Sequence, residues 1–222
     1  MIGLSRQGNV FVLRMDEGEN RFTPAFLADF GHALDLVEKT EGVALVTIGA
    51  GKFYSNGLAL DGLAGKSEDE IRAYLRSIHR LFARVLAFPR ATVAALNGHA
   101  FAGGLMLALA HDVRVMRADR GYACLPEIDL RLALQPGMTA LVAARLPKQT
   151  AHEAIVTGRR YGGAEALARG IADEAADETS VLPRAIARAE ELAAKHGPTM
   201  AALKRGLHAE TLAILEGPGS VR

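Results

Sequence analysis

Two apolar runs, each passing into a glycine-bearing turn, constrain this chain more than any other feature. Val43 to Ile48 leads into GKFYSNGLAL at Gly51 to Leu60, and Thr92 to Leu96 leads into NGHAFAGGLMLALAHD at Asn97 to Asp112. Short uninterrupted apolar runs read as buried strands, and glycine supplies backbone geometry closed to other residues. Two such turns, if adjacent in space, can each aim one backbone N–H at a single point. Stabilising a developing negative oxygen requires that arrangement, with donors fixed before the charge appears. The chemistry indicated is stabilisation of an enolate or a related anion, which needs no metal and no redox cofactor.

Length and composition narrow the alternatives. A chain of 222 residues with 50% apolar content fits one sizeable domain, or a domain with a small appendage. Lys and Arg number 26 against 25 Asp and Glu, a formal charge of +1, which gives no support for nucleic-acid binding as the main role. The single cysteine, Cys124, forms no internal disulfide and fits a reducing compartment. The opening MIGLSRQGNVFVLRM lacks the apolar core of a secretory signal, and charges or glycines break every candidate membrane span. The final Ser220-Val221-Arg222 is not a peroxisomal import tripeptide. These features lead to the expectation of a soluble cytoplasmic protein without membrane partners.

Strands and helices alternate through the first part of the chain. Val10 to Met15 reads as a strand. Thr23-Pro24 supplies an N-cap with proline at the first helical position, and Phe26, Leu27, Phe30, Ala33, Leu34 and Val37 then repeat at helical spacing to Glu38. Ser67 and Glu70 form a capping box for a helix to about Ala87. Thr92 to Leu96 is a strand, Gly103-Gly104 opens a helix to about His111, and Val113 to Met116 returns as a strand. This alternation predicts an α/β core with parallel pairing over residues 1–136. Beyond Pro136 the pattern turns helical: Met138 to Arg145, Ala151 to Thr157, Ala164 to Arg169, Leu182 to His196 and Met200 to Leu215. Residues 137–222 therefore read as a helical region for packing and oligomerisation, entered by a change of layer and not by a flexible hinge.

A proton-transfer group is also needed. Leu125-Pro126-Glu127-Ile128 sets one carboxylate among apolar residues, where burial raises a carboxyl pKa towards a value useful for shuttling protons. A surface charge at a strand end is the plain alternative. SNGLAL also reads as an ordinary turn, and AGGL as a close helix–strand packing point. The spacing is not GxGxxG, which disfavours a dinucleotide site, and Ser55 lacks a nucleophile elbow. His79, His99, His111 and His152 show no metal-ligand spacing, Asp61 and Asp112 read as structural, and Cys124 as a small core residue.

Taken together, NGHAFAGG, SNGLAL and LPEIDL resemble, in order and spacing, the crotonase or enoyl-CoA hydratase/isomerase superfamily over nearly the whole chain. The resemblance implies a spiral of ββα units forming two sheets, a helical C-terminal region that builds trimers or dimers of trimers, and an acyl-CoA thioester substrate with no separate cofactor. It implies an oxyanion hole made by the amides of Leu58 and Gly103, with Asn56, Gly57, Gly104 and Met106 around the substrate. Hydratases of this superfamily use two glutamates. Here the first falls on Met106 and the second on Glu127, a pattern similar to Δ3,Δ2-enoyl-CoA isomerases of the plant peroxisomal type, which share SNGL, LALxHD and MRxDRG. The implied role of Glu127 is to carry a proton between two carbons. Two positions depart from the pattern: Ala59, where an acid is common, and Arg131, where glycine is usual. Hydration, other enolate chemistry, or a non-catalytic acyl-CoA-binding paralogue are the competing expectations.

Overall fold

In the computed structural model, which describes residues 1–221, nine strands and nine helices follow one another with a repeating logic. A hairpin comes first, β1 (Ile2–Gln7) and β2 (Val10–Met15), then α1 (Pro24–Glu38). Next come β3 (Ala44–Gly49), β4 (Phe53–Ser55) and α2 (Glu68–Leu86), then β5 (Thr92–Leu96), β6 (His99–Phe101) and α3 (Gly103–Ala110). The third repeat is β7 (Val113–Arg117), β8 (Ala123–Cys124) and α4 (Pro136–Arg145). In each repeat the first strand joins a large sheet and the second a small one. The large sheet runs β1-β2-β3-β5-β7-β9 and the small sheet β4-β6-β8, with every pair parallel except β1–β2. The result is the expected ββα spiral.

Side-chain alternation explains why the large sheet is covered on both faces. Successive residues of a strand point to opposite sides. Leu13, Leu45, Ala94 and Met116 enter a core shared with α1, α2 and α3, whereas Val12, Val46, Val93 and Val115 enter a second. That second layer is closed by α7 (Val181–Ala193), whose Val181, Ala185, Ala189 and Ala193 recur at helical spacing and are buried. The helix foreseen at Leu182 to His196 thus covers the sheet of its own chain.

The two capping predictions hold in atomic detail. Thr23 accepts the Phe26 amide at 3.1 Å, and Ser67 and Glu70 make both arms of the capping box. Beyond Pro136 the chain forms α5 (Lys148–Thr157), α6 (Gly163–Ala168), α8 (Pro198–Leu207) and α9 (Ala209–Glu216). Beyond Pro136 two features differ from the sequence reading, and earlier in the chain the strands β1, β4, β6 and β8 were not foreseen. Glu174–Ala176 forms β9 beside β7, and the helix expected from Met200 to Leu215 is two helices that part at His208. Among the described residues no helix is long and apolar enough to cross a membrane.

Candidate active site

The first glycine turn leaves β4 at Ser55 and is held from below by Asn20. Asn20 is fully buried with a left-handed backbone (φ 51°), and its Nδ2 donates to Phe53 O at 3.2 Å and Tyr54 O at 3.1 Å. Ser55 Oγ donates to Asn20 O at 2.7 Å and accepts the Gly57 amide at 3.1 Å. Ser55 is therefore a bracket for the turn, in keeping with its lack of a nucleophile elbow. Gly57 has φ 73°, and a Cβ there would stand 2.6 Å from the amide nitrogen of Gly103. Only glycine lets the two turns approach this closely.

The Gly57–Leu58 peptide has a defined direction. Gly57 O accepts the Phe22 amide at 2.7 Å. Because a trans peptide sets its N–H opposite its C=O, the Leu58 amide points away from Phe22.

The second turn ends at the N-terminus of α3. Ala102 caps that helix with φ 51° and ψ −124°, a conformation that side-chain-bearing residues seldom adopt. Gly104 packs so tightly on Ser55 that a Cβ would collide with the Ser55 carbonyl. The first amides of a helix have no acceptor in the preceding turn, and Gly103 is the first residue of α3. Neither it nor Leu58 donates its amide to a protein acceptor among the described residues. At its other end α3 is anchored by His111, fully buried, with Nδ1 2.8 Å from Leu107 O and Nε2 3.0 Å from Thr47 Oγ1. Burial lowers the His111 pKa to about 4, so the ring is neutral there.

Glu127 stands in a short 3-10 turn, Pro126–Ile128, just beyond β8. It lines a cavity of about 440 Å³ together with Asn56, Leu58, Ala102, Leu75 and Met138. The lining includes exposed Leu130 and Leu132 as well as buried Leu75 and Met138, so the cavity near Glu127 is largely apolar. Its Oε2 is buried and has no hydrogen-bond partner among the described residues. Burial is the leading cause that raises the Glu127 pKa to about 7, with its own backbone amide pulling the other way. A carboxyl poised there can take a proton and return it near neutrality.

The structure sets Asn56, Leu58 and Glu127 on one cavity wall, with Gly57, Gly103 and Gly104 buried where the two turns meet. Met106 lies in the first turn of α3 with no exposed surface, and its amide donates to Ala102 O at 3.1 Å. Asp61 is exposed on the cavity rim. Asp112 is more than a local cap: its Oδ2 accepts the Thr92 amide at 2.8 Å and pairs with Lys204 at 2.7 Å. Cys124 is buried and its thiol pKa is pushed up to about 11 by desolvation, in line with a core role. Among the described residues no cluster of His, Cys, Asp and Glu could hold a metal ion.

Sequence reasoning passed over Asn20, Arg21 and Tyr74. Arg21 lines the cavity and ties Glu19 (2.8 Å) to Leu58 O (3.4 Å), while Asn56 Nδ2 reaches the same Glu19 carboxylate at 2.9 Å. An asparagine followed by a basic residue ahead of a helix cap was the available signal, and it is a faint one.

Known proteins with this arrangement are numerous. The enoyl-CoA hydratase/isomerase family profile matches residues 5–216. Enoyl-CoA delta isomerase 3 of Arabidopsis thaliana is 35% identical over 97% of this chain and 95% of its own length. The peroxisomal enoyl-CoA delta isomerase 2 of the same plant is 36% identical with the same coverage. The crystal structure of an enoyl-CoA hydratase from Mycobacterium ulcerans superposes with a TM-score of 0.89 at 27% identity, covering 96% of this chain and 94% of that one. The family profile spans nearly the whole chain and the relatives match end to end: the chain is an isomerase-like member of the enoyl-CoA hydratase/isomerase family.

Proposed function

We propose that this protein converts a 3-enoyl-CoA into the conjugated 2-enoyl-CoA with Glu127 as its one proton carrier. The observation that carries the reading is the Glu127 carboxyl itself. It is half-buried on the wall of the cavity that Leu58 and Ala102 also line, with one enclosed oxygen that has no partner among the described residues and a pKa near neutrality.

The thioester carbonyl oxygen sits between the Leu58 and Gly103 amides. Ionised Glu127 removes a proton from C2, and the electrons of that C–H bond pass into a dienolate whose negative oxygen those two amides hold. Glu127, now a carboxylic acid, delivers the same proton to C4, and the double bond settles between C2 and C3. One proton moves from C2 to C4, nothing is oxidised, and no metal or redox group is needed for any step. The apolar walls keep water from the intermediate. The names of the Arabidopsis relatives support isomerisation, and Met106 at the position of a hydratase's first glutamate supports a site with one working acid.

The competing reading is hydration of a 2-enoyl-CoA, which needs a second carboxylate to orient water. Asp61 on the rim is the residue that favours it. Incubation with trans-3- and cis-3-hexenoyl-CoA, followed by the absorbance of the conjugated thioester, tests the first reading. Loss of crotonyl-CoA absorbance by hydration tests the second. Absence of the conjugated product, with hydration present, would replace isomerisation by hydration.

A further inference from the structure

Tyr74 projects from α2, outside both glycine turns, and its hydroxyl joins the two chain segments that flank Leu58. The hydroxyl accepts the Ala59 amide at 2.9 Å and donates to the Phe22 carbonyl at 2.7 Å. Phe22 and Leu58 form an isolated parallel bridge, closed on one side by the Phe22 amide on Gly57 O at 2.7 Å. On the other side the tyrosine hydroxyl spans the gap between Ala59 N and Phe22 O.

The consequence is geometric. Leu58 lies between two peptide planes, and each must be held if its N–H is to keep one direction. The plane before it is fixed by Phe22 N–H on Gly57 O. The plane after it carries the Leu58 carbonyl, touched at 3.4 Å by Arg21, and the Ala59 amide, held at 2.9 Å by Tyr74. The Arg21 contact is long, and that side chain is one-third exposed, so Tyr74 is the stronger restraint. Its hydroxyl is half-buried and stays protonated, because desolvation raises its pKa.

We infer that Tyr74 is a positioning residue for the Leu58 donor: its hydroxyl locks the second peptide plane and thereby aims the first amide of the oxyanion hole. It touches no reacting atom. The inference rests on the reading of Leu58 as an oxyanion donor, and so on the enolate chemistry proposed above.

Tyr74→Phe tests it, with acetoacetyl-CoA as the enolate probe and trans-3-hexenoyl-CoA as substrate. The bound enolate of acetoacetyl-CoA has its own near-ultraviolet absorbance, which reads the oxyanion site without needing turnover. Removing a donor outright costs about 10²–10³ in rate, and misaiming one should cost about tenfold in kcat. The KM should stay within about twofold, since ground-state binding is not the target. The enolate fraction should fall in step with kcat. An unchanged kcat and enolate fraction would overturn the inference. So would a fall in kcat with the enolate fraction intact, because the lesion would then lie in proton transfer. If Tyr74→Phe fails to fold, Ala59→Pro decides by the same readouts: it removes the held N–H at a residue with φ −84° while the tyrosine stays. Finally, a parent protein that binds acetoacetyl-CoA as enolate but does not isomerise hexenoyl-CoA refutes the isomerase reading and leaves the role of Tyr74 standing.

Discussion

The amide of Leu132 donates to the carbonyl of Glu127 at 2.9 Å, closing a turn in which Arg131 has φ 56°. A left-handed conformation costs a side-chain-bearing residue roughly 1–2 kcal/mol, a cost that glycine would not bear. Arg131→Gly should relieve that strain while enlarging the freedom of the unfolded chain, an opposing term of roughly 0.5–1 kcal/mol. The expected outcome is a gain of about 0.5 kcal/mol in urea unfolding with kcat unchanged. A loss above about 1 kcal/mol would mean that the Arg131 side chain makes a stabilising contact.

Glu127→Gln should lower kcat for 3-enoyl isomerisation by about 10²–10⁴, the range for a positioned proton carrier, with coenzyme A thioester binding retained. In the parent, kcat/KM should rise with pH through an ionisation at about 7, because the carboxylate form starts the reaction. Turnover that survives the substitution would remove Glu127 from the mechanism.

The same carboxyl affects stability with a definite sign. Its pKa is raised from 4.5 to about 7 on folding, so between those values the folded state keeps a proton that the unfolded state has released. Stability is therefore lost as pH rises through that window. Glu127→Gln should be more stable than the parent by roughly 1–3 kcal/mol at pH 8, with the advantage shrinking towards pH 4. Denaturant curves at the two pH values check this, and an equal difference at both would contradict it.

His79 presents the opposite case. It is fully buried on α2, both ring nitrogens lack a partner among the described residues, and Gly137 packs so close that a Cβ there would stand 3.0 Å from its Nδ1. Burial lowers its pKa from 6.5 to about 4, so this group's contribution is complete above pH 6.5 and disappears as pH falls towards 4. His79→Leu should raise stability by about 1–2 kcal/mol at pH 7, since unpartnered buried polar atoms are costly, and by more at pH 5. Thermal melts across pH 5–8 decide; a destabilised variant would point to an ordered water on the imidazole.

Gly57→Ala should be far more harmful than its size suggests. The added methyl would stand 2.6 Å from Gly103 N at φ 73°, so either the turn opens or the helix start moves. A loss of about 10²-fold or more in kcat is expected, as for removal of an oxyanion donor. Near-normal activity would show that the two turns tolerate separation.

Much of the large sheet was legible because it is buried on both faces. Val43 to Ile48 and Thr92 to Leu96 are nearly continuous apolar runs, as parallel strands under two layers must be. Strands without that signature escaped. Leu4-Ser5-Arg6-Gln7 of β1 is an edge with polar residues, and Glu174–Ala176 is too short to show a period. The helix break at His208 was hidden because apolar residues continue through it. Before the break Leu203 and Leu207 are exposed, whereas after it Leu212 and Leu215 are buried, so the apolar face turns over at that point. At the site, glycines and the lone acid announced themselves by local pattern. Asn20 and Tyr74 did not, because they reach the first glycine turn and its flank from 33–35 and 15 residues away in sequence, outside its local pattern.

Leu58, Ala102 and Glu127 arrive at one cavity from three successive turns of the spiral. In the proposed reaction the grip on the thioester comes from backbone N–H groups that every residue type but proline carries, whereas the proton carrier is a single replaceable side chain. A lineage built on this frame can exchange its chemistry by one codon while inheriting its hold on the substrate intact.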